Sequence, residues 1–195
     1  MRHIVLFAAL FPIPALGDEP VAPGEELFPL ALGNSWTYRV SGQDDRFIVR
    51  AAKKEMVGDQ TCFLLEARLR DRVVATEHVA FTKEGLCRFR VDKEDVQPPV
   101  CVLQLTATKT NKWKKTYQLG GRSATANFSA SAGEVTVLAV KYKTVNVVAD
   151  INDAPGRVTT TISYADGVGP VKQVINEGKR ILVLELEKFE RGDGK

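Results

Sequence analysis

Apolar and polar side chains alternate with a period of two through most of this chain, and that alternation leaves little room for anything but β-structure. Trp36, Tyr38 and Val40 alternate with polar neighbours, and the residues from 158 to 164 repeat the pattern. A strand of this kind buries one face and exposes the other, which is typical of antiparallel sheets. The spacing of β-α-β units is not visible, so we expect no doubly wound parallel sheet.

Turn-forming residues divide the chain at short intervals. Pairs such as Ser41-Gly42 and Gly58-Asp59 recur roughly every 10–20 residues, which predicts about ten to twelve short strands and an all-β fold. One segment, 44–56, fits either an amphipathic helix or a strand. We interpret it as a strand, because the residues at 57–60 then form the turn of a hairpin.

Residues 1–17 have the order of a secretion signal. A basic start precedes the apolar run Ile4–Phe11, and small residues precede Asp18. The run is far shorter than the roughly 20 apolar residues that span a bilayer. The sequence therefore predicts a signal peptide over 1–17, a flexible leader over 18–26, a single β domain over 27–190 and a disordered tail over 191–195. We expect the mature protein to be extracytoplasmic, either periplasmic or secreted, with no integral membrane segment.

Composition restricts the chemistry that the chain can support. The 27 Lys and Arg residues nearly balance 24 Asp and Glu residues, which argues against a nucleic-acid partner. With two His and three Cys, neither a His-rich metal site nor a four-cysteine zinc site can be built. His78 is the one histidine outside the signal peptide, and we expect it on a strand, exposed or half-buried. We therefore predict no catalytic residue, no cofactor and no metal; a hydrolase that depends on His78 is the weakest alternative.

Two of the cysteines have the spacing of a cross-strand pair. Cys87 shares parity with apolar Phe89, and Cys101 shares parity with Leu103, so both are expected to face inward. They flank a loop at 92–99 and would lie opposite each other in a hairpin. An oxidising compartment would permit a structural disulfide between them, which leaves Cys62 free. The alternative is a pair of reduced, buried thiols.

Two segments carry a resemblance to a known family. Residues 27–38, LFPLALGNSWTY, and residues 164–174, YADGVGPVKQV, resemble the start and end of the secreted bacterial proteins of unknown function called DUF3108-like or TapB-like. The resemblance implies a strongly curved antiparallel sheet that forms an open or half-closed barrel, similar in outline to periplasmic lipoprotein carriers. It implies no reaction, ligand or catalytic residue. Within these segments we interpret Gly33, Gly167 and Gly169 as structural glycines.

The function that follows is non-enzymatic. A sheet this broad is expected to curve, and the residues that face its concave side are rich in aromatic side chains. We expect this face to bind an apolar or extended ligand, such as a hydrophobic small molecule or a lipid. The candidate ligand-face residues are Trp36, Tyr38, Trp113, Tyr142 and Tyr164. The alternative is a cell-envelope interaction or scaffold module that contacts an envelope protein and whose concave face is filled by its own side chains.

Overall fold

The protein is an antiparallel β-barrel, seen here in a computed structural model that describes residues 24–104, 110–153 and 156–194. The predicted signal peptide over 1–17 and residues 18–23 of the predicted leader lie outside the described residues. A short 3-10 helix (Glu25–Leu27) precedes the barrel. The strands are β1 (Ser35–Val40), β2 (Arg46–Val57), β3 (Gln60–Leu69), β4 (Arg72–Thr82), β5 (Gly85–Val91), β6 (Glu94–Leu103), β7 (Thr110–Leu119), β8 (Arg122–Val137), β9 (Val140–Asp153), β10 (Gly156–Ala165), β11 (Gly169–Asn176) and β12 (Ile181–Glu190).

Each strand pairs with its neighbours in sequence, and β12 returns to pair with β1, so the sheet closes on itself. The predicted all-β fold of about ten to twelve strands is confirmed. The barrel is closed, whereas the resemblance implied an open or half-closed one. Closure comes from the six registered pairs between Ser35↔Glu190 and Val40↔Leu184, which leave neither terminal strand as an edge.

The ambiguous segment 44–56 is a strand. β2 pairs with β3 down to Val57↔Gln60, which is the hairpin that the turn residues predicted. Its inward positions are Phe47, Val49 and Ala51, and Ala51 is fully buried. The alternation of apolar and polar side chains therefore outweighs the apparent helical spacing, because only the strand places its apolar residues on the barrel interior.

The predicted inward direction of the cysteines is wrong. Bulges in the β5–β6 ladder at Leu86/Cys87 and at Arg88/Arg90 shift the alternation, so that Leu86 and Arg88 line the interior. Cys87 and Cys101 face away from it, directly opposite each other, and are joined by a disulfide. A bulge adds one residue to one strand and moves every following side chain to the other face.

The β6–β7 boundary is the sparsest part of the ring. Among the described residues, these strands form a ladder pair only at Gln97↔Gln118. Pro98 and Pro99 follow at once in β6 and have no backbone N–H to donate. The Trp113 indole N–H, at 2.8 Å from the carbonyl oxygen of Cys101, supplies a donor across this boundary.

The segments 27–38 and 164–174, which carry the resemblance, meet at one end of the barrel. The Trp36 indole N–H donates to the Val168 carbonyl at 2.6 Å, and the Tyr38 hydroxyl donates to the Pro170 carbonyl at 2.9 Å. Gly167 N–H donates to Glu26, the last residue of the predicted leader, which is part of the 3-10 helix. The hydrogen bonds of Trp36 and Tyr38 each join residues 132 positions apart, and together with the Gly167 bond they hold the N-terminal segment across the barrel end.

The start of the C-terminal tail is also held to this end. Gly192 N–H donates to the Asn34 side-chain oxygen at 2.7 Å, and the Asn34 amide donates to the Pro29 carbonyl. Gly33, at φ +82°, lies so close to Gly192 that a Cβ on Gly33 would be 3.0 Å from the Gly192 Cα. The tail that the sequence suggests is disordered from 191 is therefore anchored at Gly192.

Gly169 provides a test of this packing. Its φ is +100°, and a Cβ there would lie 2.8 Å from Trp36 Nε1 and 3.2 Å from Phe28 Cδ2. Gly169→Ala is expected to cost about 1–2 kcal/mol for the backbone and about 1–3 kcal/mol more for the overlap. Gly167→Ala, at φ +67° but facing open space, should cost only the backbone part. Urea unfolding of both variants measures the difference, and equal losses would contradict the packing.

The buried tyrosines predict a pH dependence. Burial raises the pKa of Tyr38 and of Tyr164 well above 10, so both stay neutral in the folded state. In the unfolded chain they ionise near their ordinary pKa of about 10, so their stabilisation is complete below that pH and is lost as the pH rises above it. Urea unfolding should show the free energy of unfolding falling above about pH 10, less steeply in Tyr38→Phe. Ionisation of all four tyrosines near pH 10 in the folded protein would contradict this assignment.

Candidate functional site

The candidate site is the barrel interior, which the side chains of the described residues do not fill. A cavity of about 530 Å³ lies inside the ring and is lined mainly by aliphatic and aromatic side chains from every strand. An eight-stranded barrel is just wide enough for its own side chains or one small ligand, and diameter grows with strand number. Twelve strands therefore leave space that eight would not.

One end of the cavity is closed. Leu27 and Phe28 are buried there, and the Phe28 ring lies 4.9 Å from Trp36 and 6.3 Å from Tyr164 between ring centroids. Trp36 is fully buried and stacks on Phe189 at 5.3 Å. The hydrogen bonds of Trp36 and Tyr38 to the β10–β11 segment hold these rings, so this end is packed with aromatic groups.

The other end reaches the surface. The cavity extends to Gln43 in the β1–β2 turn and to Arg180 in the β11–β12 turn, and both residues are exposed. Just inside these turns, apolar side chains at the strand ends form what we call the apolar collar: Leu69, Val91, Leu119, Ile151, Ile175 and Leu182. A molecule that enters from this end passes the collar before it reaches the aromatic end.

Three of the five candidate ligand-face residues lie together in the cavity wall: Trp36, Tyr38 and Tyr164. Trp113 is half-buried and stacks on Phe128 at 5.0 Å between ring centroids; Phe128 lines the cavity and Trp113 does not. Tyr142 lies near the β8–β9 turn, packs against the core and does not line the cavity. The structure therefore groups only part of the predicted set.

An ion pair stands in the mainly apolar wall, and sequence reasoning missed it. Arg88 donates through Nε and Nη2 to the two carboxylate oxygens of Glu77, at 3.1 and 3.0 Å. Both residues line the cavity between Val79, Leu86 and Val100. Burial acts to lower the pKa of Arg88, but the carboxylate of Glu77 outweighs it and holds that pKa above its ordinary value, so the guanidinium stays charged.

A signal for half of this pair is present in the sequence. Ala75, Glu77 and Val79 share one parity of β4, so an acidic residue stands at an apolar position. Arg88 has no comparable signal, because the bulge that turns it inward cannot be read from the alternation.

His78 and Cys62 face the outer side of the barrel, and each has a different hydrogen-bond partner. His78, expected to be exposed or half-buried, is 4% exposed, and its Nε2 lies 2.7 Å from Glu55 Oε2. Burial raises the pKa of Cys62 to about 11, although Arg90 acts to lower it, and the thiol donates to the Gln60 carbonyl. At neutral pH this thiol is protonated, so it is not an activated nucleophile.

Over 24–104, 110–153 and 156–194, none of the helices has the length and apolar character that a membrane crossing needs. In the same part of the chain, no three His, Cys, Asp or Glu side chains stand close enough to hold a metal ion.

Comparison with known proteins gives distant likenesses. No protein-family model matches the sequence, and no curated protein matches it. The structure is similar to a protein from Bacteroides fragilis, proposed to be exported and with a YmcC-like fold, at 8% identity and a TM-score of 0.42 over 82% of this chain and 96% of that one. It is also similar to a protein from Parabacteroides distasonis, proposed to be a lipoprotein, at 8% identity and a TM-score of 0.43 over 84% of this chain and 98% of that one. These values carry no argument about function, and the DUF3108-like resemblance stays a prediction.

Proposed function

We propose that this protein is a non-enzymatic carrier or binding protein that holds an apolar or amphipathic small molecule inside its barrel, outside the cytoplasm. The observation that carries the proposal is the unfilled cavity of about 530 Å³. Ligand pockets for small molecules typically measure about 300–1,000 Å³ and are lined mainly by apolar and aromatic side chains with few polar groups. The barrel interior has this size and this lining.

The arrangement of the two ends supports binding over a scaffold role. A scaffold with a self-filled interior needs no open end, whereas this cavity extends to exposed Gln43 and Arg180. At the closed end, Phe28 and Trp36 are packed against Gly169, which keeps the interior dry on that side. With one open end and one closed end, the barrel has the arrangement of a binding cavity that a ligand enters from one side.

An extracytoplasmic location is supported by two independent features. The sequence of residues 1–17 has the three regions of a signal peptide. Cys87 and Cys101 form a disulfide away from the cavity, and structural disulfides persist in oxidising compartments. Free Cys62 is fully buried, which protects it from pairing in such a compartment.

Filling the cavity provides the test. Ala149 lines the interior beside Phe128, its registered partner on β8, so Ala149→Phe places a ring in the ligand space. Titration with N-phenylnaphthylamine, an uncharged probe that fluoresces in apolar surroundings, should give binding to the wild-type protein and at least about tenfold weaker binding to the variant. Native mass spectrometry of the purified protein is the second measurement, and we expect a co-purifying hydrophobic molecule.

The control is Val74→Phe, which adds the same ring at a side chain that is 53% exposed and does not line the cavity. It should leave the affinity for the probe unchanged. The proposal fails if the wild-type protein binds neither the probe nor a co-purifying molecule, or if both variants bind as the wild type does.

A further inference from the structure

The Glu77–Arg88 pair places two charged side chains in a cavity wall that is mainly apolar, and their desolvation acts against folding. Its side chains are 36% and 29% exposed, and both line the cavity rather than the outer surface. Moving two charges even partly out of water carries a desolvation cost, and replacing a buried pair of this kind by apolar residues is often neutral or stabilising. Fold stability therefore gives a poor reason for the pair, and contact with a ligand gives a better one.

The charge of the lining defines what the pair can recognise. The charged residues among the described side chains that line the cavity are Glu77, Arg88 and Arg180, and Arg180 is exposed in a turn at the open end. Inside the apolar collar, one carboxylate is thus matched by one guanidinium. A ligand with a net charge would bring an uncompensated charge into this interior, which is costly in an apolar medium.

The hydrogen-bonding groups of the pair favour a head group that both donates and accepts. Arg88 uses Nε and one N–H of Nη2 on Glu77, and a guanidinium has five N–H groups in all. Its Nη1 end can donate to a ligand oxygen. Each Glu77 oxygen accepts one of these bonds and has capacity for another. A hydroxyl placed beside the pair would accept from Arg88 and donate to Glu77.

We propose that the barrel binds an uncharged amphiphile, a hydrocarbon chain with a hydroxyl-bearing head, and that Glu77 and Arg88 bind the head. This inference rests on the proposed binding function and names the ligand class for the same cavity. The hydrocarbon chain extends from the pair toward the open end and packs against the apolar collar. The pair then selects the ligand by its lack of net charge and by its capacity to donate and accept together.

The test compares three ligands with the same chain and different heads. Decanol, decanoate and decylammonium each displace N-phenylnaphthylamine from the wild-type protein at neutral pH, and the order of their affinities is measured. We expect decanol to bind at least about tenfold more tightly than either charged ligand, because only decanol leaves the interior neutral. Comparable binding by decanoate and decanol would overturn the inference.

Glu77→Gln changes the charge of the interior by one unit and nearly preserves its shape. The unpaired Arg88 should then favour decanoate over decanol by about tenfold, because a charge-assisted bidentate bond replaces the one to Glu77. Asp150→Asn is the matched control: Asp150 pairs with Arg157 on the outer side of β9, away from the cavity, and this change should leave the order unaltered.

A double variant guards against loss of folding. Glu77→Leu with Arg88→Met removes both charges, so no buried charge is left unpaired. It should still bind the probe, and it should lose the preference for decanol over decane. If the wild-type protein binds no probe, the binding function fails; if it binds the probe but the order of heads is unchanged in Glu77→Gln, only the head-group assignment fails.

Discussion

Closing a sheet of twelve strands produces an interior wider than the inward side chains can fill, and the rest of the structure follows from that constraint. The closing pairs between β1 and β12 remove both sheet edges, which a sheet of this length would otherwise expose. The cost of closure is unfilled space, because a void forfeits the dispersion contacts that a packed core would have. The described residues pack one end of the barrel with aromatic side chains and leave a cavity in the interior.

That packing explains which residues occupy the segments 27–38 and 164–174. Trp36 and Tyr38 each bury a ring and satisfy the polar atom on it by donating to a backbone carbonyl of the β10–β11 segment. Glycine suits position 169, since φ is +100° and a Cβ there would lie 2.8 Å from the Trp36 indole nitrogen. The segments are thus complementary parts of one closed end, although 132 residues separate the hydrogen-bonded partners. Their residues are explained by packing and need no catalytic role.

The sequence predicts the strands of this fold well and the faces of those strands less well. Alternation is a local property, so β1 and β2 follow from it, and the hairpin turn after Val57 confirms β2 against the helical alternative. Bulges are set by how neighbouring strands fit the curvature of the ring, which the sequence of one strand does not contain. The bulges of the β5–β6 ladder are therefore the reason that the predicted direction of Cys87 was wrong and that Arg88 was not predicted to face inward. Barrel closure also escaped prediction, since it depends on whether the first and last strands meet.

The apolar collar bears on how a ligand reaches the Glu77–Arg88 pair. At the open end the cavity wall includes apolar side chains such as Val91, Ile151 and Ile175, which offer no hydrogen bond. A charged head that passes these side chains loses part of its hydration before it reaches the pair, and complete loss would cost several kcal/mol for an isolated ion. A hydroxyl loses far less. The collar therefore slows charged molecules kinetically, as the neutral pair disfavours them at equilibrium, and both effects select the same uncharged head.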